Sequence, residues 1–411
     1  MSNRPHPDPK EHAKRLAIAE SQFGITFRSE QLNAFDVWAT RERTMCVYYP
    51  TGTGKTKITL TCLFLRGYTE ALVIAPPSTH DGWANDALAL GMTVTCISHA
   101  KFRRPDYQLS RHTPVIVDEF HMLGGQKGQG WKKMDRAALG LECPLILSSA
   151  TPNYNDAERV YCVAHVLDPV DHKGGYVEWL YKHCYTKNNR FGVIPLVEGF
   201  RQYKDAEEFL SNLPGVAYIP DNAPDIIQDF EWYEPTPALL SKFGYHEGRH
   251  RIVASEMEKR MTIRYDRVVN PHGNTVRSPL FSEILGLIDD AHDAGPVIIY
   301  CDLATIAKAV HQTFLEETDE SKYTVALITG DTPKKKKLQV LDDFRSGAYR
   351  VLIGTASIST GTDGLDKVCD TMIIVDDTPD PSLRRQLVGR ILPRGTGSYD
   401  NKVAHRFVYT D

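Results

Sequence analysis

Tyr49-Pro50-Thr51-Gly52-Thr53-Gly54-Lys55-Thr56 decides how the rest of the chain is read. An apolar run, Met45 to Tyr48, precedes it, and an apolar-periodic one, Ile58 to Leu65, follows it. The order is strand, glycine loop, helix. A loop so placed turns its backbone N–H groups and a helix N-terminus toward one point, which suits a polyphosphate. Thr51, Gly52, Thr53 and Gly54 form the cradle, Lys55 reaches the β/γ-phosphates, and the Thr56 hydroxyl is a ligand for Mg²⁺. Side chains in place of the glycines would hold the phosphate away or forbid the backbone angles. The pattern specifies a nucleoside triphosphate with Mg²⁺ and leaves its use open.

Working outward, 411 residues are enough for two domains, each with its own core. The 42% hydrophobic and 24% charged content are ordinary for a globular protein. No apolar run approaches the ~20 residues of a membrane span, and the start, MSNRPHPDPK, lacks the apolar core of a signal peptide. Eight scattered cysteines without a C-x-x-C pair fit a reducing cytosol, a cytoplasmic location. A net charge of −4 is not the usual footprint of a nucleic-acid binder. From Arg384 onward, however, Arg384, Arg385, Arg390, Arg394, Lys402 and Arg406 face only Asp400 and Asp411, a balance of +4. A local basic surface is all that one groove requires.

Short β-branched runs recur between helix-length segments. The first half has Met45–Tyr48, Ala71–Ala75, Val94–Ser98, Val115–Asp118 and Leu145–Ser148. The second has Val297–Tyr300, Val325–Thr329, Val351–Gly354, Met372–Val375 and Phe407–Tyr409. Continuous apolar strands alternating with helices predict parallel sheets buried on both faces, and two sets predict two α/β domains. The expected division is an ATP-binding domain over 1–220 with helical additions after about 153, a connecting segment over 221–276, and a second domain over 277–411.

Two further motifs follow strands. In Val115-Ile116-Val117-Asp118-Glu119-Phe120-His121, Asp118 is placed to hold Mg²⁺ beside the phosphate loop, and Glu119 to orient and activate the attacking water. Ser148-Ser149-Ala150-Thr151-Pro152 by itself reads as a plain strand-to-loop turn.

With these residues in view, nearly the whole chain resembles the superfamily 2 helicases and translocases, DExH type. Thr51–Thr56 resembles their motif I, Asp118–His121 motif II and Ser149-Ala150-Thr151 motif III. Pro296–Cys301 resembles motif IV, and Thr329-Gly330-Asp331 with Phe344-Arg345 the stretch that follows it. Gly354-Thr355 through Gly361-Thr362-Asp363 resembles motif V, and Gln386-Leu387-Val388-Gly389-Arg390 motif VI. The resemblance implies two tandem RecA-like domains with the ATP site in the cleft between them. It implies that Gln31 reads adenine, that Asp363 lies at the nucleotide, and that His121, Ser149 and Thr151 couple hydrolysis to movement. Gln386 and Arg390 would act in catalysis, Arg390 as an arginine finger worth about 10³ to 10⁵ in rate. The family's second arginine is displaced here: Pro393 takes its position, and Arg394 follows.

Ala75-Pro76-Pro77-Ser78 with Gly82-Trp83, and Ala150-Thr151-Pro152-Asn153 with Asn155 and Glu158, are similar to segments of the Snf-type, chromatin-remodeller-like branch. Asp118-Glu119-Phe120-His121 and Gly361-Thr362-Asp363-Gly364 fit compact phage recombination helicases equally well. Both branches imply a monomeric motor on duplex or branched DNA, with Pro76, Ser78, Trp83, Thr329, Gly330 and Thr355 at the strand and little sequence specificity. A strand-separating RNA or DNA helicase is the alternative within the class. A small-molecule phosphotransferase is the alternative outside it, and one that needs no arginine so far downstream.

Three features are assigned bland roles. Lys334 to Lys337 open an amphipathic helix through Leu338, Leu341 and Phe344, with phosphate contact as the alternative. Cys162, His165, His172, His183 and Cys184 match no common zinc spacing. Gly124 to Gly130 with Trp131 read as a mobile loop after motif II, at DNA or merely connecting.

Overall fold

The computed structural model describes residues 7–125, 128–150, 157–172, 174–188, 194–221, 224–233, 268–269, 275–276, 279–291, 295–319, 321–359, 364–379, 381–393 and 399–410. The chain divides into two compact units, Met1–Asn222 and Ala223–Asp411.

The first unit runs α1 (Pro9–Phe23), α2 (Ser29–Ala39), β1 (Thr44–Tyr48), α3 (Lys55–Leu65), β2 (Glu70–Ile74), α4 (His80–Ala89), β3 (Thr93–Ile97), α5 (His99–Arg103), β4 (Val115–Asp118), α6 (Gln129–Gly140) and β5 (Leu145–Ser149). It continues with α7 (Ala157–Leu167), α8 (Tyr176–His183), β6 (Cys184–Lys187), β7 (Leu196–Phe200), α9 (Ala206–Ser211) and β8 (Val216–Tyr218). Six of the strands form one sheet in the order β3-β2-β4-β5-β1-β8, and all its pairings are parallel. Alternate residues of each strand enter opposite cores. Cys46 and Tyr48 pack with Trp131, Met134 and Trp179 on one face, while Met45 and Val47 pack with Phe35, Trp38 and Ile58 on the other.

The second unit contains β9 (Ile227–Tyr233), an antiparallel pair β10 (Val268–Val269) and β11 (Thr275–Val276), α10 (Pro279–Asp289), β12 (Val297–Cys301), α11 (Ala304–Glu317), β13 (Val325–Ile328), α12 (Lys334–Arg345), β14 (Val351–Gly354), β15 (Thr371–Asp376), α13 (Pro381–Val388) and β16 (Val403–Thr410). Its six-stranded sheet is also wholly parallel, in the order β13-β14-β12-β15-β16-β9. The same two-residue period sends Val297 and Ile299 to one core and Ile298 and Tyr300 to the other.

All ten strands expected from the apolar runs are present. Three elements differ from the expectation. β8 completes the first sheet beside β1. β9, within the segment read as a connection, pairs along all seven of its residues with β16. The stretch after 153, read as helical, also holds the antiparallel ribbon of β6 and β7, with Cys184 opposite Phe200. The loop after motif II is corrected too: Trp131 lies in α6, 2% exposed, with its ring 6.4 Å from that of Phe120, so it is core.

Candidate nucleotide site

The three motifs of the first unit meet because β5 lies between β1 and β4. Tyr48 pairs with Ser149 and Asp118 with Ser148, so the phosphate loop, the Asp-Glu pair and Ser149 leave the sheet at adjoining carboxyl ends. That edge of an open parallel sheet is where ligands bind.

The loop backbone needs its glycines. Gly52 and Gly54 have φ of 80° and 82°, in the left-handed region, and Gly54 caps α3. A Cβ on Gly54 would lie 3.4 Å from Gln31 Nε2. Gln31 donates from that nitrogen to Thr53 O at 2.6 Å and accepts from Arg28 N–H at 2.8 Å, tying α2 to the loop. Thr53 Oγ1 donates to Pro50 O at 2.7 Å. Lys55 Nζ donates to Tyr49 O and Pro50 O, each at 3.0 Å, and is folded back along the strand-to-loop turn. Thr56 follows it in the first turn of α3. Tyr49, where many such loops have glycine, is buried and donates its hydroxyl to Glu30 O at 3.1 Å.

Asp118 ends β4, is 8% exposed, and accepts from Trp83 Nε1 at 3.2 Å. Burial, then the Glu119 charge, push its carboxyl up to about 7, with Lys55 and the indole N–H acting in the opposite direction. Its main-chain oxygen takes a hydrogen bond from His99 Nε2 at 2.9 Å. A carbonyl only accepts, so Nε2 carries the proton. Burial pushes His99 down to about 4, so the ring is neutral at physiological pH.

Glu119 has φ of 49°, the single non-glycine residue in the left-handed region among the described residues. Such a conformation costs about 1–2 kcal/mol and is held here by a short network. Ser149 Oγ donates to Glu119 Oε2 at 3.2 Å, and His121 Nδ1 lies 3.0 Å from Ser149 Oγ and 3.4 Å from Glu119 Oε2. His121 and Ser149 thus touch the residue read as the water-activating base.

The donor set suits magnesium. Thr56 offers a hydroxyl and Asp118 a carboxylate, both hard oxygen ligands, and Mg²⁺ commonly takes one or two protein oxygens with phosphates and waters completing its shell. Thr56 and Asp118 would hold it.

In the second unit the motif residues engage their own backbone. Arg390 is 8% exposed and donates from Nε to Ser359 O at 2.7 Å. Lys337 of α12 turns inward to Ser357 O, and burial with the Arg390 charge pushes it down to about 8, so it does not line a solvated face as its three preceding lysines do. Gln386 is buried in α13. Gly354 ends β14 against Ile358, whose Cγ2 would lie 2.5 Å from a Cβ there. The C-terminal basic excess is largely engaged: Arg384 pairs with Asp377 at 2.7 Å, Arg406 with Asp229 at 2.7 Å, and Lys402 with Asp370.

Of the residues expected at a strand, Gly330 is exposed and Ser78 half-buried, whereas Pro76, Thr329 and Thr355 are buried. Trp83 is the clearest correction: 1% exposed and bonded to Asp118, it has no face for a base. Thr151, Asp363 and Arg394 lie outside the described residues. Cys162 is buried in α7, and His172 accepts the Trp179 indole N–H at 3.1 Å. Sequence reasoning missed His99 altogether; only its place one residue past a strand hinted at it.

Residues 279–394, less than a third of the chain, match the family model of the helicase conserved C-terminal domain. Two solved structures of Saccharomyces cerevisiae Dbp5, each bound to RNA and ADP–BeF3, are similar over 98% of this chain and 88% of theirs. Their TM-scores are 0.56 and, for a point variant, 0.54, at 17% and 16% identity, a likeness of fold. Part of the second unit, residues 279–394, is thus similar to a helicase conserved C-terminal domain, and the chain has the fold of two RecA-like domains in tandem.

Proposed function

We propose that the protein hydrolyses ATP when nucleic acid is bound and uses the cycle to move along double-stranded or branched DNA, in the manner of Snf-type translocases or phage recombination helicases. The observation that carries the ATPase part is the convergence of Lys55, Asp118, Glu119, Ser149 and His121 at the ends of β1, β4 and β5. The loop amides and Lys55 hold the phosphates, Lys55 exchanging its carbonyl partners for phosphate oxygens. Magnesium, when bound, neutralises charge on the β- and γ-phosphates. Glu119, oriented by Ser149, positions a water and takes its proton as the oxygen attacks. Gln386 and Arg390 are assigned to the same reaction on the motif VI resemblance, the guanidinium offsetting charge on the departing phosphoryl group.

Duplex DNA as the track rests on the Ala75–Trp83 and Ala150–Glu158 resemblances, and a motor of this kind would act from the cytoplasm as a monomer. RNA is the second reading, favoured by the RNA in both Dbp5 structures. One experiment separates them: ATP turnover with single-stranded DNA, plain duplex, forked duplex and RNA. The proposal expects duplex or forked DNA to raise turnover at least tenfold. Stimulation by RNA alone overturns the DNA track, and turnover indifferent to every nucleic acid overturns the motor.

A further inference from the structure

We propose that Trp83 and His99 are positioning residues that set the Asp118 carboxylate for the metal, one holding its side chain and the other its main chain. The inference rests on reading Asp118 as the magnesium-side carboxylate. Neither residue belongs to the phosphate loop, the Asp-Glu motif or the Ser149 segment. They come from α4, which follows β2, and α5, which follows β3.

The indole has one donor and no acceptor, and a buried indole needs a partner. Among the described contacts, that partner is Asp118 Oδ2, 35 positions away in sequence. The bond fixes the rotation of the carboxyl group and leaves Oδ1 unclaimed by the indole. His99 acts on the other half of the residue. Asp118 is the last residue of β4 before the chain turns through the left-handed Glu119. Its carbonyl oxygen accepts a hydrogen bond from His99 Nε2 at 2.9 Å. The main chain at the turn is therefore tied across the end of the sheet to the residue that follows Ser98 after β3. Groups that orient a ligand in this way are worth about 10–100-fold in metal affinity. A phenylalanine at 83 would fill most of the same space without the N–H. The apolar packing of Trp83 beside Ala87 therefore explains the ring but not its orientation toward the carboxylate.

The test uses the full chain with Mn²⁺ as the probe, another hard cation that favours oxygen ligands. Bound Mn²⁺ is counted by electron paramagnetic resonance in the presence of ADP, and ADP affinity is measured separately in chelator. Trp83→Phe is expected to raise the half-saturating Mn²⁺ about tenfold while leaving metal-free ADP affinity unchanged. His99→Leu is expected to do the same, and His99→Gln, whose amide N–H can reach the carbonyl, to return within about twofold of the wild type. Metal-free ADP binding certifies that each variant is folded. Asp118→Asn is the reference and loses Mn²⁺ binding. If it binds Mn²⁺ normally, the reading of Asp118 itself fails. If it loses Mn²⁺ while the folded Trp83 and His99 variants match the wild type, the positioning proposal alone is overturned.

Discussion

The two RecA-like units share a six-stranded parallel sheet with a core on each face, yet the side chains around their motifs differ in what most of them touch. In the first unit they touch one another: Trp83 meets Asp118, and His121, Ser149 and Glu119 form a chain. In the second they hold backbone: Arg390 binds Ser359 O, Lys337 Ser357 O, Lys402 Asp366 O and Arg384 Thr378 O. The first unit thus joins polar side chains at the Asp-Glu motif, while in the second Arg390, Lys337, Lys402 and Arg384 brace main-chain oxygens. Counting charge along the C-terminal segment therefore overstated its open basic surface, because pairing with Asp377, Asp370 and Asp229 consumes most of it.

The strongest attack on that contrast is Arg390→Gln, which keeps an N–H donor for Ser359 but removes the guanidinium. If Arg390 has a catalytic role beyond its main-chain contact, nucleic-acid-stimulated turnover falls about 10³-fold or more with ADP affinity intact. Near-normal turnover would confine Arg390 to bracing Ser359 O. Glu119→Gln tests the reactive side. The amide accepts from Ser149 as the carboxylate does, so the fold and ATP binding persist, while hydrolysis measured in steady state drops about 10²–10⁴-fold.

Trp131→Ala asks whether the aromatic residues after motif II are core or contact surface. As core, Trp131 costs about 3–5 kcal/mol in denaturant unfolding of the first unit when truncated. Stability within 1 kcal/mol of the wild type, with weakened nucleic-acid binding, would restore the loop reading.

Acid has a gentler effect, and on both units. Burial pushes His99 and His183 down to about 4 and lowers His172 as well. Unfolded, each returns to about 6.5. Between these values the unfolded chain binds more protons, so this stability is whole above about pH 6.5 and is lost as pH falls toward 4. Asp118, raised to about 7, acts the other way, because the fold favours its protonated form as pH falls. The thermal midpoint of the first unit should therefore fall on acidification, and fall more steeply in Asp118→Asn. His311 and His405 are lowered by burial in the second unit, so its midpoint moves in the same direction. A first-unit midpoint constant from pH 7 to 4.5 in Asp118→Asn, where the opposing carboxyl is gone, would mean that these rings are not buried as neutral groups.

Much of this was legible in the chain. The apolar runs located ten strands because buried parallel strands have no polar face to interrupt them. The glycine loop was legible because its backbone angles admit few residues. β8 has only three residues, and β9 carries Gln228, Asp229 and Glu231 among its apolar ones, as an edge strand can, so neither stood out. The bonds from Trp83 and His99 to Asp118 span 35 and 19 positions, with no periodicity to join their ends. Resemblance placed Trp83 at a strand of nucleic acid; packing places it against the Asp118 carboxylate.

The smallest expected effect concerns that edge. Arg406 faces Asp229 in register across β16 and β9 and binds both its oxygens at 2.7 Å, which holds the Asp229 carboxyl below the usual range. The pair is partly exposed, so solvent screens it, and its loss in Arg406→Ala is worth only about 0.2–1 kcal/mol. The effect should be local. Amide exchange in β9 should quicken several-fold while β12, flanked by β14 and β15, keeps its protection. Salt should shrink the difference between the variant and the wild type, because the lost interaction is screened. If β12 loosened equally, β9 would be an integral part of the core sheet rather than an edge held by side chains. The second unit would then be as interlocked as the first.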